Sequence, residues 1–373
     1  MKIQGLKLTQ FKNYDSGQFV FSERLNCFVG KNGMGKTNLL DAIYYLCMCK
    51  SHRGVNDRNV VKHSTEFFRL EGYFLNEKKI EKKSKCKIKI VAKVQPGKNK
   101  EIEKDDVAYQ KLSEHIGMIP VVIIVPDDTL MATEGSEERR RFLDNTLSQL
   151  DGDYLKNLIT YNKILKQRNS ALKKFAETRS FNAELVDIYD QQLIGPAQVI
   201  FEKRKEFINS FRPVFKEFYQ DISSGQEKID CIYSSSLKYG DFANQLKESR
   251  EKDRILTRTT CGIHKDDLVF RIETHLLRKF GSQGQLKSYV LSMKLAQYDF
   301  LKKNHISNPI LLMDDIFDKL DEDRVQQLIK LILEKNFGQV FITDTHENRV
   351  EEIIKNFATD YKKFYIENGE LKE

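Results

Sequence analysis

The stretch Gly30-Lys31-Asn32-Gly33-Met34-Gly35-Lys36-Thr37 restricts the fold more than any other part of this 373-residue chain. Its spacing, GxxxxGK[ST], has a mechanical meaning. Glycines let backbone amides curl round an anion, the lysine brings a mobile positive charge, and the last hydroxyl is small enough to sit on Mg²⁺. Such a loop works only between a strand and a helix whose positive N-terminal end faces the anion. The flanks agree: "LNCFVG" reads as a strand entering the loop and "TNLLDAIYYLCMCK" as a helix leaving it. In this reading the amides wrap a β-phosphate, Lys36 neutralises β and γ oxygens, and Thr37 ligates Mg²⁺. A glycine turn with a helix cap is the plainer alternative. A strand–loop–helix unit calls for an α/β fold with a parallel sheet.

Two later segments carry related chemistry. "PILLMDDIFDKLD" runs four apolar residues into paired acids. An apolar strand ending in Asp314 suits a Mg²⁺-bridging carboxylate at the C-terminal edge of a buried parallel sheet. Asp315 beside it would orient or deprotonate a water. Paired acids after an apolar run also serve as helix caps. "FGSQGQLKSYVLSMKLAQ" places Gly281, Ser282, Gln283, Gly284 and Gln285 at its start and continues as a long amphipathic helix, which makes a second phosphate cradle far downstream of the first.

Along the chain, strand-like and helical runs mix over the first 130 residues. Long helical periodicity with many charges follows, from "EERRRFLDNTLSQL" to "FRPVFKEFYQDI". A strand-like patch, "KIDCIYSSS", and a helix, "FANQLKESREKDRI", come next. From residue 257 the texture is α/β again. The expected division is therefore a head made of 1–130 and 257–373, with an inserted helical arm, lobe II, at 131–256. The two outer parts are expected to build one sheet together.

Charge placement says more than its total of +8. Residues 78–104 hold eleven lysines against three glutamates, which accounts for the whole excess. Within them "KCKIKIVAKV" alternates lysine with apolar residues, the period of a strand with one wet face. Lys85, Lys87 and Lys89 share that face. The stretch is either a solvated hairpin whose lysines discourage edge pairing or a contact surface for nucleic-acid phosphates. Arg139, Arg140 and Arg141 fan out on one helix start, so a solvated face with intrahelical Glu–Arg pairs competes with a phosphate site. No apolar run approaches the roughly 18 residues that a membrane helix needs. The start "MKIQGLKLTQFKNY" lacks the apolar core of a secretion signal, and six cysteines show neither CxxC nor zinc spacing. Reduced cysteines and a cytoplasmic location are expected.

The order of phosphate loop, Ser-Gln-Gly-Gln helix start and acid-terminated strand resembles that of ABC-type ATPases. More closely, "LKLTQFKNYDSGQFVFSERLNCFVGKNGMGKTNLLDAIYYLCMCKSHRG", "VPDDTLMATEGSEERRRFLDNTLSQLDGDYL", "TTCGIHKDDLVF", "FGSQGQLKS" and "PILLMDDIFDKLD" look like the RecF family, within the SMC/Rad50-like ATPases. The resemblance spans nearly the whole chain. It implies an ABC-type P-loop ATPase head with a short helical arm, ATP and Mg²⁺ as cofactors, and weak DNA-stimulated hydrolysis. It implies an ATP-dependent homodimer in which Ser282, Gln283, Gly284 and Gln285 reach the γ-phosphate held by the partner. The dimer would clamp duplex DNA or single-strand/duplex junctions in recombinational repair, fork recovery and SOS induction, alongside mediators such as RecR and RecO and with no membrane. Arg53, in "KSHRG", falls where SMC-like proteins carry an arginine linking DNA to hydrolysis, though it also reads as an ordinary surface arginine. Ile263 and Lys265 replace the family's usual proline and arginine, Asp315 stands where the base is often Glu, and "FITDTHE" puts Asp344 where a sensing histidine is usual, with His346 two residues on. Asp127 falls near the usual glutamine. A non-hydrolysing clamp and a transporter motor subunit are the rival readings.

Overall fold

A computed structural model describes residues 1–76, 86–223, 227–317, 322–335, 337–355 and 360–372. The apolar runs became the interior strands they suggested. Val121–Ile124, Ile310–Met313, Val340–Asp344 and Leu25–Val29 are buried at every position, as strands covered on both faces must be. They lie side by side in that order, all parallel, and Tyr361–Glu367 adds a further parallel strand beside Leu25–Val29. Glu370–Lys372 closes the edge as an antiparallel hairpin. Both ends of the chain thus contribute to one sheet.

A second sheet is antiparallel throughout: Tyr14–Val20, Lys2–Phe11, Phe68–Asn76, Cys86–Val94, Glu101–Lys104 and Val107–Ala108, in spatial order. The helix Lys36–Met48 packs on strands of both sheets. That explains its composition. Leu39, Leu40, Ile43, Tyr45 and Leu46 share one core with Ile3, Leu8, Phe68 and Ile90 on one side and Phe28, Leu312 and Phe341 on the other, so the helix is apolar nearly all round rather than along one stripe. In the lysine-rich strand Ile88 and Ile90 are buried and Lys87 is exposed, as the alternation required. Lys85 and the rest of 77–85 lie outside the described residues. Lys89 pairs with Asp106 at 3.0 Å and Lys93 with Glu103, so much of this face is neutralised by the neighbouring strand and turn.

The chain divides into two compact units: Met1–Thr129, Phe218–Gly225 and Lys287–Glu373, and Leu130–Glu217 with Gln226–Leu286. This moves the expected boundary at 256, because residues 257–286 group with the helical unit. The reason is strand pairing. Asp267–Ile272 hydrogen-bonds to Ile229–Ser234 and His275–Leu276 in a small antiparallel sheet of its own.

The helical unit has a charged interior. Arg168 is fully buried on Gly152–Thr178, 2.7 Å from both Asp190 and Asp253, and donates to Thr259 Oγ1. Arg204, almost as buried, reaches Asp144, Asp266 and the Ile263 carbonyl. The segment "TTCGIHKDD" is held throughout by these groups: Thr260 caps onto Asp253, His264 bonds Tyr161 at 2.7 Å, and Asp267 takes a two-pronged contact from Arg139. Burial pushes the His264 imidazole down to about 4, so it is neutral there. Of the three successive arginines, Arg139 is therefore structural, Arg140 bonds the Asp266 carbonyl, and Arg141 makes the intrahelical pairs with Glu137 and Glu138. Arg168→Met leaves the buried Asp253 carboxylate without its cation, while Asp190 keeps Arg250, and a loss of about 3–5 kcal/mol is expected. Urea unfolding followed by circular dichroism measures it, and a loss below about 1 kcal/mol would contradict the arrangement.

Candidate nucleotide site

The phosphate loop leaves the strand Leu25–Val29 and returns as the helix Lys36–Met48, which begins at Gly35 without a side-chain cap. Its first N–H groups are thereby left to a ligand. Two glycines are obligatory. Gly30 sits at φ 148°, and a Cβ there would fall 2.3 Å from the Ile366 carbonyl oxygen. Gly35, at φ 111°, would drive a Cβ to within 2.6 Å of the Asn13 amide. Gly33 is also left-handed, at φ 81°, but faces open space.

Both ends of the unit brace the loop. Asn13 donates to the Met34 carbonyl at 3.1 Å and accepts from Asn38 at 2.7 Å, while Tyr14 donates to the Gly35 carbonyl at 3.1 Å. From the C-terminal hairpin, the Gly369 N–H donates to the same Met34 carbonyl at 2.9 Å. Lys31, Asn32 and Gly33 form the exposed crest. Lys36 is buried and donates to the carbonyls of Gly30 and Lys31 at 2.7 and 3.1 Å. Its ammonium closes the loop on itself and stands where an incoming anion would meet it.

The acids arrive from the adjoining strand ends. Thr37 Oγ1 lies 2.8 and 3.0 Å from the two Asp314 oxygens. Thr343, at the end of the strand between them, donates toward Asp314 at 2.9 Å or Asp315 at 3.1 Å and accepts from the Asp315 N–H at 2.8 Å. A hydroxyl carries one proton, so Thr343 serves one acid at a time. Asp315 itself is at φ 41°, a conformation uncommon outside glycine and asparagine. The oxygens of Thr37 and Asp314 are of the hard type that Mg²⁺ selects and already stand next to one another, so these residues fit that ion.

The other sequence candidates are distributed as follows. Asp344 is buried and takes the His346 N–H at 2.9 Å, which leaves His346 on the exposed turn. Asp127 is exposed; its neighbour Asp128 is the engaged acid, paired with Lys294 at 2.6 Å. Arg53 lines an open groove of about 1150 Å³ with Lys12, Asn13, Asn38, Arg58 and Lys62, and it has no acidic partner among the described residues. Its backbone is pinned by the preceding residues. Ser51 and His52 both bond Asp41, which also pairs with Lys12 at 2.6 Å. Burial would raise the Asp41 carboxyl, but the His52 hydrogen bond and the Lys12 charge outweigh it and hold the group well below the ordinary range.

Ser282, Gln283, Gly284 and Gln285 fall in the helical unit, at the start of the helix Gln283–Asn304. Ser282 and Gln283 are exposed. The Ser282 N–H donates to Gln285 Oε1 at 2.7 Å and the Gln285 N–H to Ser282 Oγ at 3.2 Å, a reciprocal capping box. Thr343, Asn13 and Gly369 were not singled out from the sequence. Thr343 has a visible signal, a hydroxyl just before the acid that ends an apolar strand. Asn13 and Gly369 have none.

Residues 2–367 match the RecF/RecN/SMC N-terminal domain family. The chain is 45% identical over 366 residues to the DNA replication and repair protein RecF of Flavobacterium johnsoniae, covering 98% of this chain and all of that one. It is 42% identical to the RecF of Phocaeicola vulgatus over all of this chain and 98% of that one. Among solved structures it is similar to the recombination mediator protein RecF with ATPrS and with ATP, in the RecFOR pathway, each at 28% identity and a TM-score of 0.87, over 99% and 100% of this chain and 97% of each of those. It shares the fold of the Smc head bound to the C-winged helix domain of ScpA at 16% identity and a TM-score of 0.58, over all of this chain and 96% of that one. With matches of this length and identity, the chain belongs to the RecF family of DNA replication and repair proteins, whose head is an ABC-type ATPase fold.

Proposed function

We propose that this chain works in recombinational repair and replication-fork recovery as an ATP-operated DNA clamp. The observation that carries the reading is the convergence of Lys36, Thr37, Asp314, Asp315 and Thr343 at the ends of three adjacent parallel strands. The ATP and ATPrS named with the similar RecF structures support the choice of nucleotide. In this mechanism Lys36 exchanges the carbonyls of Gly30 and Lys31 for β and γ oxygens, and the open first turn of its helix receives the phosphates. Thr37 and Asp314 would hold Mg²⁺, which neutralises charge on the phosphates. Asp315 orients a water or takes its proton, and Thr343 fixes its backbone while doing so. An aspartate is one methylene shorter than a glutamate, which suits a slow turnover; stimulation by DNA belongs to the same proposal.

Ser282, Gln283, Gly284 and Gln285 would meet the ATP of a second copy, so that ATP closes a homodimer on duplex DNA or a single-strand/duplex junction and hydrolysis releases it. Contacts are to backbone rather than bases. Partners such as RecR and RecO, and a cytoplasmic setting with no membrane partner, belong to the same reading. No described helix is long and apolar enough to cross a membrane.

Light scattering with ATP, ADP or no nucleotide, repeated with duplex DNA, tests the scheme as a whole. Lys36→Met is expected to abolish ATP-driven dimerisation, and normal dimers in that variant would remove Lys36 from its role. Asp315→Asn is expected to bind ATP but hydrolyse it about 10²-fold or more slowly, with the dimer persisting on DNA; unchanged turnover refutes the assignment. Among the DNA candidates Arg53 and Lys87 have no acidic partner among the described residues, whereas Lys89 is paired with Asp106. Arg53→Gln should therefore weaken DNA binding alike on all sequences and reduce the salt slope by about one. Lys89→Gln should change it far less, and the opposite ranking would assign the contact to the strand.

A further inference from the structure

Gln285 does more than complete the capping box. Its Nε2 donates to Glu227 Oε1 at 2.8 Å. The two contacts fix the amide's orientation, because the Ser282 N–H requires the oxygen end and the carboxylate requires the NH₂ end. In sequence Glu227 lies between the helix Ala183–Ser223 and the strand Ile229–Ser234, in the same compact unit as Ser282. The following residue is anchored as well: the Lys228 N–H donates to Glu273 at 2.7 Å and its carbonyl accepts from the Glu273 N–H. Glu227 is thus held by a sheet edge rather than by a free loop.

This arrangement has a consequence for Ser282. Its Oγ accepts from the Gln285 N–H, which uses a lone pair and leaves the hydroxyl proton available to donate to another acceptor. The side chain is exposed, and the N–H groups of Gln283 and Gly284 begin the same helical turn. A tetrahedral oxyanion approaching along the helix axis would meet a hydroxyl donor and first-turn amides already in place. Without the tether, Gln285 regains its side-chain rotamers and the box loosens, so Ser282 becomes free to rotate.

We propose that Glu227 is a positioning residue for the Ser282–Gln285 cradle: through Gln285 it holds the Ser282 hydroxyl ready to donate to a phosphate carried by a second copy of the chain. The inference rests on the two-copy reading given above. Glu227 touches no phosphate itself, and its effect appears only when two chains close.

The test uses the full-length protein and ATP. Glu227→Ala is expected to raise the protein concentration for half-maximal ATP-driven dimerisation about tenfold, in line with one charge-assisted hydrogen bond. The affinity of the monomer for a fluorescent ATP analogue should stay as in the wild type, because the phosphate loop belongs to the other compact unit. Glu227→Gln keeps an acceptor for the Gln285 amide and is expected to restore most of the lost dimerisation. Glu227→Asp, with its carboxylate drawn back by one methylene, should fall between, and it supplies the answer if the alanine variant melts early by circular dichroism. Wild-type dimerisation in both Glu227→Ala and Glu227→Asp, with Ser282→Arg still monomeric, would overturn the positioning role and leave the two-copy reading intact. Wild-type dimerisation in Ser282→Arg would sink that reading itself. Equal loss in the Ala and Gln variants would show that the carboxylate charge, not the acceptor, matters, and would also overturn the proposal.

Discussion

Everything in the nucleotide site follows from the adjacency of three parallel strands. Leu25–Val29 delivers the phosphate loop, Val340–Asp344 lies beside it, and Ile310–Met313 comes next. Parallel pairing sends all three C-terminal ends to one edge, so Thr37, Thr343, Asp314 and Asp315 meet there although the acids are far along the chain from the loop. Thr343 is the pivot of this edge. It touches both acids and takes the Asp315 N–H, and its side chain is buried at the strand's C-terminal end. A single hydroxyl thus links the two acids at this edge.

The helical unit is held by a different principle. Arg168 and Arg204 carry full charges into its interior, where each is met by two aspartates. Such clusters seldom add net stability over apolar packing, because desolvation consumes most of the Coulomb gain. What they impose is registry. A leucine interface tolerates sliding, whereas a guanidinium facing Asp190 and Asp253 from separate segments has one acceptable position. The "TTCGIHKDD" segment, threaded through these contacts, is thereby fixed at its threonines, its histidine and both acids.

Much of this is legible in the sequence, for physical reasons. Runs such as "VVII" and "ILLM" are too short for helices and too apolar for an exposed strand, so burial on both faces was the remaining option. Lysine–isoleucine alternation from residue 86 predicted the faces of its strand correctly, because side chains alternate by geometry alone. Partnership was not legible. The pattern of "DDLVFRIE" says strand but carries no address, so its pairing with Ile229–Ser234 and the shift of 257–286 into the helical unit could not be read from it. The same limit explains the missed braces. Asn13 and Gly369 matter through the Met34 carbonyl that both engage, and nothing in their local sequence announces that meeting.

The wall behind Gly30 has a consequence for how the protein is made. A Cβ at Gly30 would strike the Ile366 carbonyl, and the Met34 carbonyl is capped by Gly369. A loop synthesised among the first forty residues therefore acquires its back wall from residues synthesised at the far end. While the chain is still leaving the ribosome, the strand Leu25–Val29 lacks both its neighbours, Val340–Asp344 and Tyr361–Glu367. Until the C-terminal hairpin is present the loop has its sequence but not its back wall, and a chain cut short of Tyr361–Glu367 and Gly369 is without the contacts that shape it.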